Sequence, residues 1–265
     1  MKTCGEVLVS LLQAYGVDTV FGIPGVHTVE LYRGLPATGI RHITPRHEQG
    51  AGFMADGYAR ASGRPGVCLI ITGPGMTNIA TAMGQALADS IPMLVISSVN
   101  RSYQLGLGEG RLHEMPHQSG TIAGVAVFSH SLLRADELPQ VLARAFTVFA
   151  SERPGPVHIE IPLDVITAAA DHLDSAPFAL PGPPGPAPAG IAQAVDALAN
   201  AQRPLIAIGG GCVNASAELL ALAESLDAPV VNTVNAKGVI PSGHTPAVRR
   251  SGSRAGTRRA VPPDA

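Results

Sequence analysis

Cysteine is scarce in this chain, which contains three in 265 residues. Cys4, Cys68 and Cys212 lie far apart, and no two of them form a CxxC pair. An odd number of widely separated thiols argues against both a disulfide framework and a zinc site. We therefore expect no metal ligands among these residues, and we predict a reducing, cytoplasmic location.

Charged residues are also few, at 14% of the sequence, and the formal net charge is only −2. The Lys and Arg residues of positions 1–170 are scattered along the chain and form no basic cluster. A polyanion such as nucleic acid would find no concentrated positive charge to bind. We therefore expect no nucleic-acid partner.

The N-terminal region lacks an uninterrupted apolar run. Residues 7–12 are mostly apolar, but Glu6 and Gln13 bound the run, and no small-residue cleavage site follows it. This pattern is not that of a signal peptide. Thr3 and Glu6 have the spacing of a capping box, and Gly16 is a suitable stop, so we predict an amphipathic helix and no membrane partner.

Apolar residues make up 46% of the chain, which is ample for a sizeable core. Short β-branched runs alternate with helical segments, and this alternation is typical of a parallel sheet covered on both faces. The sequence therefore predicts an α/β fold with a doubly wound parallel sheet. Strands are expected near 18–22, 40–44, 67–72, 93–98 and 157–161, and helices near 27–35, 48–62, 76–89 and 137–151.

The composition changes after Asp174, where six prolines fall between residues 177 and 188. Such a stretch favours extended polyproline geometry and is typical of an interdomain linker. We predict a first domain over 1–172, a Pro/Gly-rich linker over 173–188, and a partial central α/β domain over 189–244. In the last segment we expect helices at 191–198 and 217–226, and strands at 204–211 and 229–233.

The final segment, 245–265, contains no Leu, Ile, Met or aromatic residue and is rich in Arg. No strand or amphipathic helix is expected there. This segment is either an ordinary disordered tail or an aberrant, frameshifted end. On both interpretations the second α/β domain is incomplete.

Three turns follow predicted strands and are expected to meet at one edge of the sheet, because the carboxyl ends of parallel strands share that edge. They are the Phe-Gly-Ile-Pro-Gly of 21–25, the Arg-His-Glu-Gln-Gly of 46–50 and the Thr-Gly-Pro-Gly-Met-Thr-Asn of 72–78. Glu48 is the candidate catalytic acid; taken alone, it could instead be a helix N-terminal acid stabilised by the helix dipole. The Gly-Pro-Gly of the third turn lacks the spacing of a dinucleotide fingerprint or phosphate loop.

Together the three turns resemble the pyrimidine-binding domain of thiamine-diphosphate enzymes of the acetolactate synthase and 2-oxo acid decarboxylase superfamily. The segment 154–165 also resembles the one that closes this domain, and the resemblance covers residues 3 to about 244. It implies that Glu48 hydrogen-bonds the N1′ atom of the cofactor's aminopyrimidine ring and thereby promotes formation of the thiazolium ylid. It further implies cofactor contacts by Pro24, Gly25, Thr72 and Asn78. Thr72 and Asn78 lie in the segment that contacts either the pyrimidine ring or the dimer partner.

Gln118 falls where acetolactate synthases carry a glutamine near the substrate, so the resemblance implies a substrate contact there. His117 and His113 lie in the same loop and are possible proton carriers, or else solvated or structural histidines. The loop lacks the phenylalanine that usually precedes this glutamine and the lysine-histidine pair that usually follows. The particular substrate is therefore left open.

The resemblance also implies Mg²⁺, which holds the cofactor diphosphate through a separate domain that carries a Gly-Asp-Gly motif. No Gly-Asp-Gly occurs in this sequence. We therefore expect thiamine diphosphate as cofactor, with Mg²⁺ supplied through a domain absent from this chain. Related acetolactate synthases also hold FAD on the central domain, but we expect no stable FAD retention here.

The function implied is that of the N-terminal portion of a thiamine-diphosphate-dependent 2-oxo acid decarboxylase or carboligase, inactive by itself. One alternative is a decarboxylase of an amino-acid-derived 2-oxo acid. Another is a non-catalytic subunit of a split enzyme, paired with a diphosphate-domain subunit. Because the family's active site forms between subunits, we expect a homodimer or higher oligomer, or such a heteromeric partner.

Overall fold

The computed structural model describes residues 1–241 and 249–250. The chain divides into two compact units, Met1–Pro184 and Gly185–Ala265. The division falls inside the proline-rich stretch between residues 173 and 188, where residues 175–187 form neither helix nor strand.

The first unit contains a six-stranded sheet with strand order β2-β1-β3-β4-β6-β5. All five strand pairs are parallel. This architecture confirms the predicted α/β fold with a doubly wound parallel sheet. The strands are β1 (Thr19–Gly22), β2 (Arg41–Ile43), β3 (Gly66–Ile70), β4 (Met93–Val99), β5 (Phe128–Ser131) and β6 (Pro156–Pro162).

Helices connect the strands and cover both faces of the sheet, as parallel crossover connections require. The long helix predicted at 48–62 has those bounds in the structure. The helices of the first unit are α1 (Cys4–Ala14), α2 (Val29–Gly34), α3 (Glu48–Ser62), α4 (Pro74–Asp89), α5 (Gln118–Ala123), α6 (Leu138–Ser151) and α7 (Leu163–Ile166).

Strand β3 shows how the sheet separates two cores. Val67 and Leu69 pack with α1, α2 and α6 on one face, whereas Cys68 and Ile70 pack with α3 and α4 on the other. Successive side chains of a strand point to opposite faces, so a strand covered on both sides is apolar throughout. All five residues of β3 are buried accordingly.

Helix α1 begins as its sequence predicts. Thr3 is the N-cap: its hydroxyl accepts a hydrogen bond from the Glu6 N–H at 3.3 Å, and its own N–H donates to Glu6 Oε2 at 2.8 Å. This reciprocal arrangement confirms the capping box. Gly16 lies just beyond the helix with a φ of 85°, a conformation that glycine adopts without strain.

Strand β5 and helix α5 were not predicted from the sequence. Strand β5 has the sequence Phe-Ser-His-Ser, lies at the edge of the sheet and is half-buried throughout, so it shows no run of apolar residues. Helix α5 has six residues, too few to display a helical period. Both elements exist because β6 and α4 supply packing partners distant in sequence.

The second unit is also α/β. Helices α8 (Pro188–Ala199) and α9 (Ser216–Ser225) accompany the parallel strands β7 (Ile206–Ile208), β8 (Val230–Asn232) and β9 (Arg249–Arg250). Strand β9 shows that the expectation of no strand after residue 244 is wrong at these two positions, because backbone pairing with β8 requires no apolar side chain. The rest of the tail predicted over 245–265 lies outside the described residues.

The thiols are free, and burial determines their chemistry. Cys4 and Cys68 are buried and Cys212 is half-buried. Loss of hydration raises the pKa of the Cys4 thiol to about 12, which keeps it protonated and unreactive. Within the described ranges, no three His, Cys, Asp or Glu side chains are grouped to hold a metal ion.

Among the residues that the structure describes, no helix is both long enough and apolar enough to cross a bilayer.

Candidate active site

The strand order places a crevice at the carboxyl ends of β1 and β3. These strands are neighbours in the sheet, but the chain leaves β1 toward β2 on one side and β3 toward β4 on the other. Loops that diverge at such a switch point leave a crevice that open α/β sheets use for ligands. The turns that follow β1, β2 and β3 carry the residues singled out from the sequence.

Glu48 is the first residue of α3 and is half-buried. Its Oε2 atom accepts a hydrogen bond from Asn78 Nδ2 at 2.8 Å. Asn78 lies near the start of α4, which packs against α3. Among the described residues no other group bonds this carboxylate, so its Oε1 atom has an acceptor position for a ligand.

The first and third turns meet at Ile71. A Cβ atom added to Gly75 would stand 2.6 Å from Ile71 Cγ2 and 3.6 Å from Glu48 Cγ. A Cβ atom on Gly25 would contact Ile71 Cδ1 too closely to fit. Gly75 therefore lets the third turn pack against Ile71 beside Glu48, and Gly25 lets the first turn pack against the same Ile71 side chain.

Gln118 fixes the turn at Gly73. The Gly73 N–H donates to Gln118 Oε1 at 2.8 Å, and Gly73 has a φ of 65°, which favours glycine. The Gln118 amide nitrogen lies 3.1 Å from each of three acceptors, Ser97 Oγ, the Ser98 carbonyl and Glu160 Oε2. The side chain is thus saturated with protein partners and only 3% exposed.

A buried polar network continues behind Gln118. Glu160 is 4% exposed, and its Oε1 atom accepts a hydrogen bond from Ser131 Oγ at 2.6 Å. The two ring nitrogens of His158 lie 2.8 Å from Ser97 Oγ and 2.8 Å from Ser129 Oγ. Burial lowers the pKa of His158 to about 3, so the imidazole is neutral and holds two hydroxyls in place.

The remaining predicted residues lie at the same edge of the sheet in different environments. Thr72 is fully buried, and its hydroxyl lies 3.3 Å from Ser98 Oγ, which joins the ends of β3 and β4. Pro24 is exposed, whereas Gly25 is half-buried and donates its N–H to Thr28 Oγ1 at 2.9 Å. His117 is exposed, and its ring lies against Gly120.

His27 was not predicted from the sequence as a residue of this edge. It lies two residues beyond Gly25 and is 5% exposed, and its ring contacts that of His113 with 5.9 Å between centroids. The carbonyl of His113 lies over Gly73, so this contact brings the loop of His113 against the first and third turns. A histidine directly after a Pro-Gly turn at a strand end was the available signal.

A separate cavity of about 250 Å³ lies at the opposite edge of the sheet. Gly16 and Val17, which precede β1, and Pro65, which precedes β3, contribute to its lining. It is therefore at the amino ends of the strands, away from Glu48 and the three turns.

Comparison with known protein families agrees with the fold and with the position of these turns. Residues 2–121 match the N-terminal TPP binding domain of thiamine pyrophosphate enzymes. Residues 191–261 match the central domain of the same enzymes. The two matches fall in the first and second units, respectively.

Individual relatives cover most of the chain. This chain is 58% identical over 240 residues to the "Probable 2-ketoarginine decarboxylase AruI" of Pseudomonas aeruginosa. The aligned residues make up 90% of this chain and 43% of the relative. This chain is 37% identical over 245 residues to the acetolactate synthase isozyme 1 large subunit of Escherichia coli. The aligned residues make up 91% of this chain and 43% of that protein.

A third relative is the acetolactate synthase large subunit of Corynebacterium glutamicum, at 38% identity over 252 residues, or 91% of this chain and 39% of the relative. The chain thus spans about two fifths of the length of these relatives. On both domain matches and on these identities, the chain belongs to the family of thiamine pyrophosphate (thiamine diphosphate) enzymes that includes 2-oxo acid decarboxylases and acetolactate synthases.

Proposed function

We propose that the first unit forms the pyrimidine half of a thiamine diphosphate site in an enzyme that decarboxylates a 2-oxo acid. One observation carries the proposal: the Glu48 carboxylate lies at the switch point of the sheet with Asn78 on Oε2 and no protein donor on Oε1 among the described residues. An acceptor held in this way suits a protonated ring nitrogen. Gly75, beside it, lets the third turn pack closely against Ile71.

The residues of the three turns have different roles in this proposed site. Glu48 binds the pyrimidine nitrogen and holds its proton, and Asn78 keeps the carboxylate in one orientation. Pro24 and Gly25 border the ring, and Thr72 secures the end of β3. When bound, thiamine diphosphate supplies a carbon nucleophile that adds to the keto group and accepts the electrons released with carbon dioxide.

Gln118 acts in this proposal through the backbone. By accepting from the Gly73 N–H it sets the conformation of the turn that precedes Gly75 and Asn78. Its other hydrogen bonds lead into the sheet, to Ser98 and Glu160. A contact of Gln118 or His117 with substrate is a prediction that follows from the family resemblance.

Among substrates, we favour a 2-oxo acid derived from an amino acid. The relative at 58% identity is named as a 2-ketoarginine decarboxylase, whereas the two acetolactate synthases are 37% and 38% identical. The sequence around Gln118 also has His117 where acetolactate synthases usually carry phenylalanine. A carboligase and a pyrimidine-domain subunit of a split enzyme are the alternatives.

Several expectations remain predictions within this proposal. Mg²⁺ would be held through a separate domain that carries the Gly-Asp-Gly motif, which does not occur in this sequence. A homodimer or a diphosphate-domain partner is expected to complete the site, and the free thiols favour a reducing cytoplasm. FAD is not part of the proposed site.

The proposal is tested by calorimetric titration of the wild-type chain and of the variant Glu48→Gln with thiamine diphosphate and Mg²⁺, up to millimolar concentration. Loss of a charge-assisted hydrogen bond should weaken binding by about tenfold or more. Glu152→Gln is the matched control, because Glu152 is exposed at the end of α6. Equal affinity of Glu48→Gln and wild type would contradict the proposal.

A further inference from the structure

The cavity at the amino ends of the strands has a lining that combines aromatic rings with one cation. Its volume is about 250 Å³, which is room for about eight water molecules at about 30 Å³ each. Tyr15, Tyr58 and Phe146 contribute the rings, and Arg64 contributes the cation. A concave, mostly apolar space with one or a few polar groups is the usual composition of a small-molecule site.

Three helices hold the aromatic part of the lining in place. Tyr15 directly follows α1, Tyr58 lies near the end of α3, and Phe146 lies in α6. Tyr15 stacks on Phe146 with 4.3 Å between ring centroids and an interplanar angle of 9°. Tyr58 meets Phe21 edge to face, with 6.0 Å between centroids. Because other rings of the fold restrain these side chains, an aromatic ligand would meet walls that are already formed.

Arg64 retains hydrogen-bonding capacity beside these rings. Its Nη1 atom donates to Asp18 Oδ2 at 2.6 Å. Within the described ranges, its Nε and Nη2 atoms have no acceptor. These two atoms form one edge of the planar guanidinium, and such an edge binds a carboxylate through two parallel hydrogen bonds. Arg64 is therefore available to bind an anionic ligand while it stays paired with Asp18.

Asp18 does not prevent an anion from binding at Arg64. Its Oδ1 atom also accepts hydrogen bonds from the Tyr58 hydroxyl at 2.6 Å and the Thr19 hydroxyl at 2.9 Å. These bonds, that of Tyr58 first, hold the pKa of the Asp18 carboxyl below its usual value, so its charge is well compensated. Of the described residues that line the cavity, none is acidic.

Tyr15 provides a second donor at the cavity. Its hydroxyl oxygen accepts a hydrogen bond from the Phe178 N–H at 3.1 Å. In the part of the chain that the structure describes, the Tyr15 O–H itself has no acceptor. Burial raises the pKa of the Tyr15 phenol, so the hydroxyl keeps the proton that it would donate.

We propose that this cavity binds a small aromatic carboxylate, with the ring among the three aromatic side chains and the carboxylate on Arg64. The cavity volume is just below the roughly 300–1,000 Å³ of sites for drug-sized ligands, which favours a ligand with a single ring. The free guanidinium edge favours a carboxylate over a neutral amide. This site lies away from Glu48 and does not depend on the proposed cofactor site.

The test is an NMR titration of the full chain with benzoate, followed at the backbone amides of Gly16 and Val17, which line the cavity. Both resonances should shift in a saturable manner, with a dissociation constant of about 1 mM or below. Arg64→Gln should weaken binding by about tenfold or more. Arg33→Gln is the matched control, because the Arg33 side chain is 57% exposed against 56% for Arg64 and also pairs with one carboxylate, that of Glu30. It should bind benzoate as wild type does.

Two analogues test the ligand class on the wild-type chain. Benzamide has the same ring without the charge, and it should bind about tenfold more weakly than benzoate. Cyclohexanecarboxylate has the charge without an aromatic ring, and it should bind severalfold more weakly.

Four outcomes would overturn the inference. If benzoate leaves the Gly16 and Val17 resonances unchanged, the cavity is not a site for this class of ligand. If Arg33→Gln weakens binding as much as Arg64→Gln, benzoate responds to the net charge of the protein and not to Arg64. Equal binding of benzamide would exclude the carboxylate contact, and equal binding of cyclohexanecarboxylate would exclude the aromatic one.

Discussion

The carboxylate of Glu48 and the amide of Gln118 serve the same edge of the sheet in opposite ways. Glu48 is half-buried, and its carboxylate accepts a hydrogen bond from Asn78. Gln118 is buried and bonds four protein groups through its two polar atoms. The first retains bonding capacity for a ligand, whereas the second holds two backbone groups, at Gly73 and Ser98, and the side chains of Ser97 and Glu160.

This contrast separates reactive from supporting groups by their hydrogen bonds. A group that must bind a ligand needs an open donor or acceptor. A group that must position a loop needs every donor and acceptor satisfied, since a partly satisfied buried network destabilises the fold. Substitutions on the two sides should therefore differ in whether they change stability or affinity.

The largest effect is expected for Gln118→Leu. It leaves the Gly73 N–H and the Oε2 atom of Glu160 without this partner, at about 1–3 kcal/mol for each unsatisfied group. We expect the free energy of unfolding to fall by more than about 3 kcal/mol in urea denaturation. Gln140→Leu is the control, because Gln140 is exposed on α6 and should change stability by less than about 0.5 kcal/mol. A loss for Gln118→Leu no greater than this control would show that the network does not support the fold.

The next effect is expected for Gly75→Ala, which places a methyl group between Ile71 and Glu48. Overpacking should cost about 1–3 kcal/mol of stability, and it should also weaken cofactor binding. Gly57→Ala is the matched control within α3, because a Cβ atom there meets nothing within 4 Å. It should stabilise the protein by up to about 1 kcal/mol. Unaltered stability and affinity in Gly75→Ala would mean that the turn adjusts freely.

Lowering the pH should reduce the stability of the folded protein, because His158 in the buried network resists protonation. Its pKa is depressed from 6.5 to about 3 in the folded protein, so the unfolded chain binds a proton that the folded one excludes. Stability is full above pH 6.5 and should fall by about 1.4 kcal/mol per pH unit as pH drops toward 3. Urea unfolding at pH 5.5 and 4.5 measures this slope, and His158→Gln should reduce it. An equal slope in the variant would assign the acid sensitivity to other groups.

The smallest effect on stability is expected for Asn78→Ala. It removes the amide from Glu48 at a half-buried position, so the free energy of unfolding should fall by only about 0.5–1.5 kcal/mol. Cofactor affinity should fall severalfold, because the carboxylate loses its fixed orientation. Gln85→Ala, on an exposed part of α4, should leave affinity unchanged. Equal cofactor affinity in Asn78→Ala and wild type would show that Glu48 needs no orienting partner.

Much of the fold was predictable where local chemistry is strong. The capping box at Thr3, the interior apolar strand β3 and the bounds of α3 follow from short-range pattern. Strand β5 was not predictable, because its two serine side chains bond polar groups of β6 and carry no apolar signal. The two-residue strand β9 was missed for a related reason, since it forms through backbone pairing.

The candidate site divides in the same way. The sequence indicates Glu48, Asn78, Gly25 and Gln118 as residues of interest, through three turns and their family resemblance. It does not indicate that Gln118 bonds Gly73, nor that His27 meets His113. The roles of these residues remain predictions that the experiments above address.

The sequence by itself determined the alternation of strands and helices and the start of α3 at Glu48, because these depend on neighbours within a few residues. Only the tertiary structure decided which side chains meet. Glu48 and Asn78 are 30 residues apart, and Gly73 and Gln118 are 45 apart. Their contacts exist because parallel strand order and helix packing bring distant turns to one edge, a long-range outcome that no local pattern encodes.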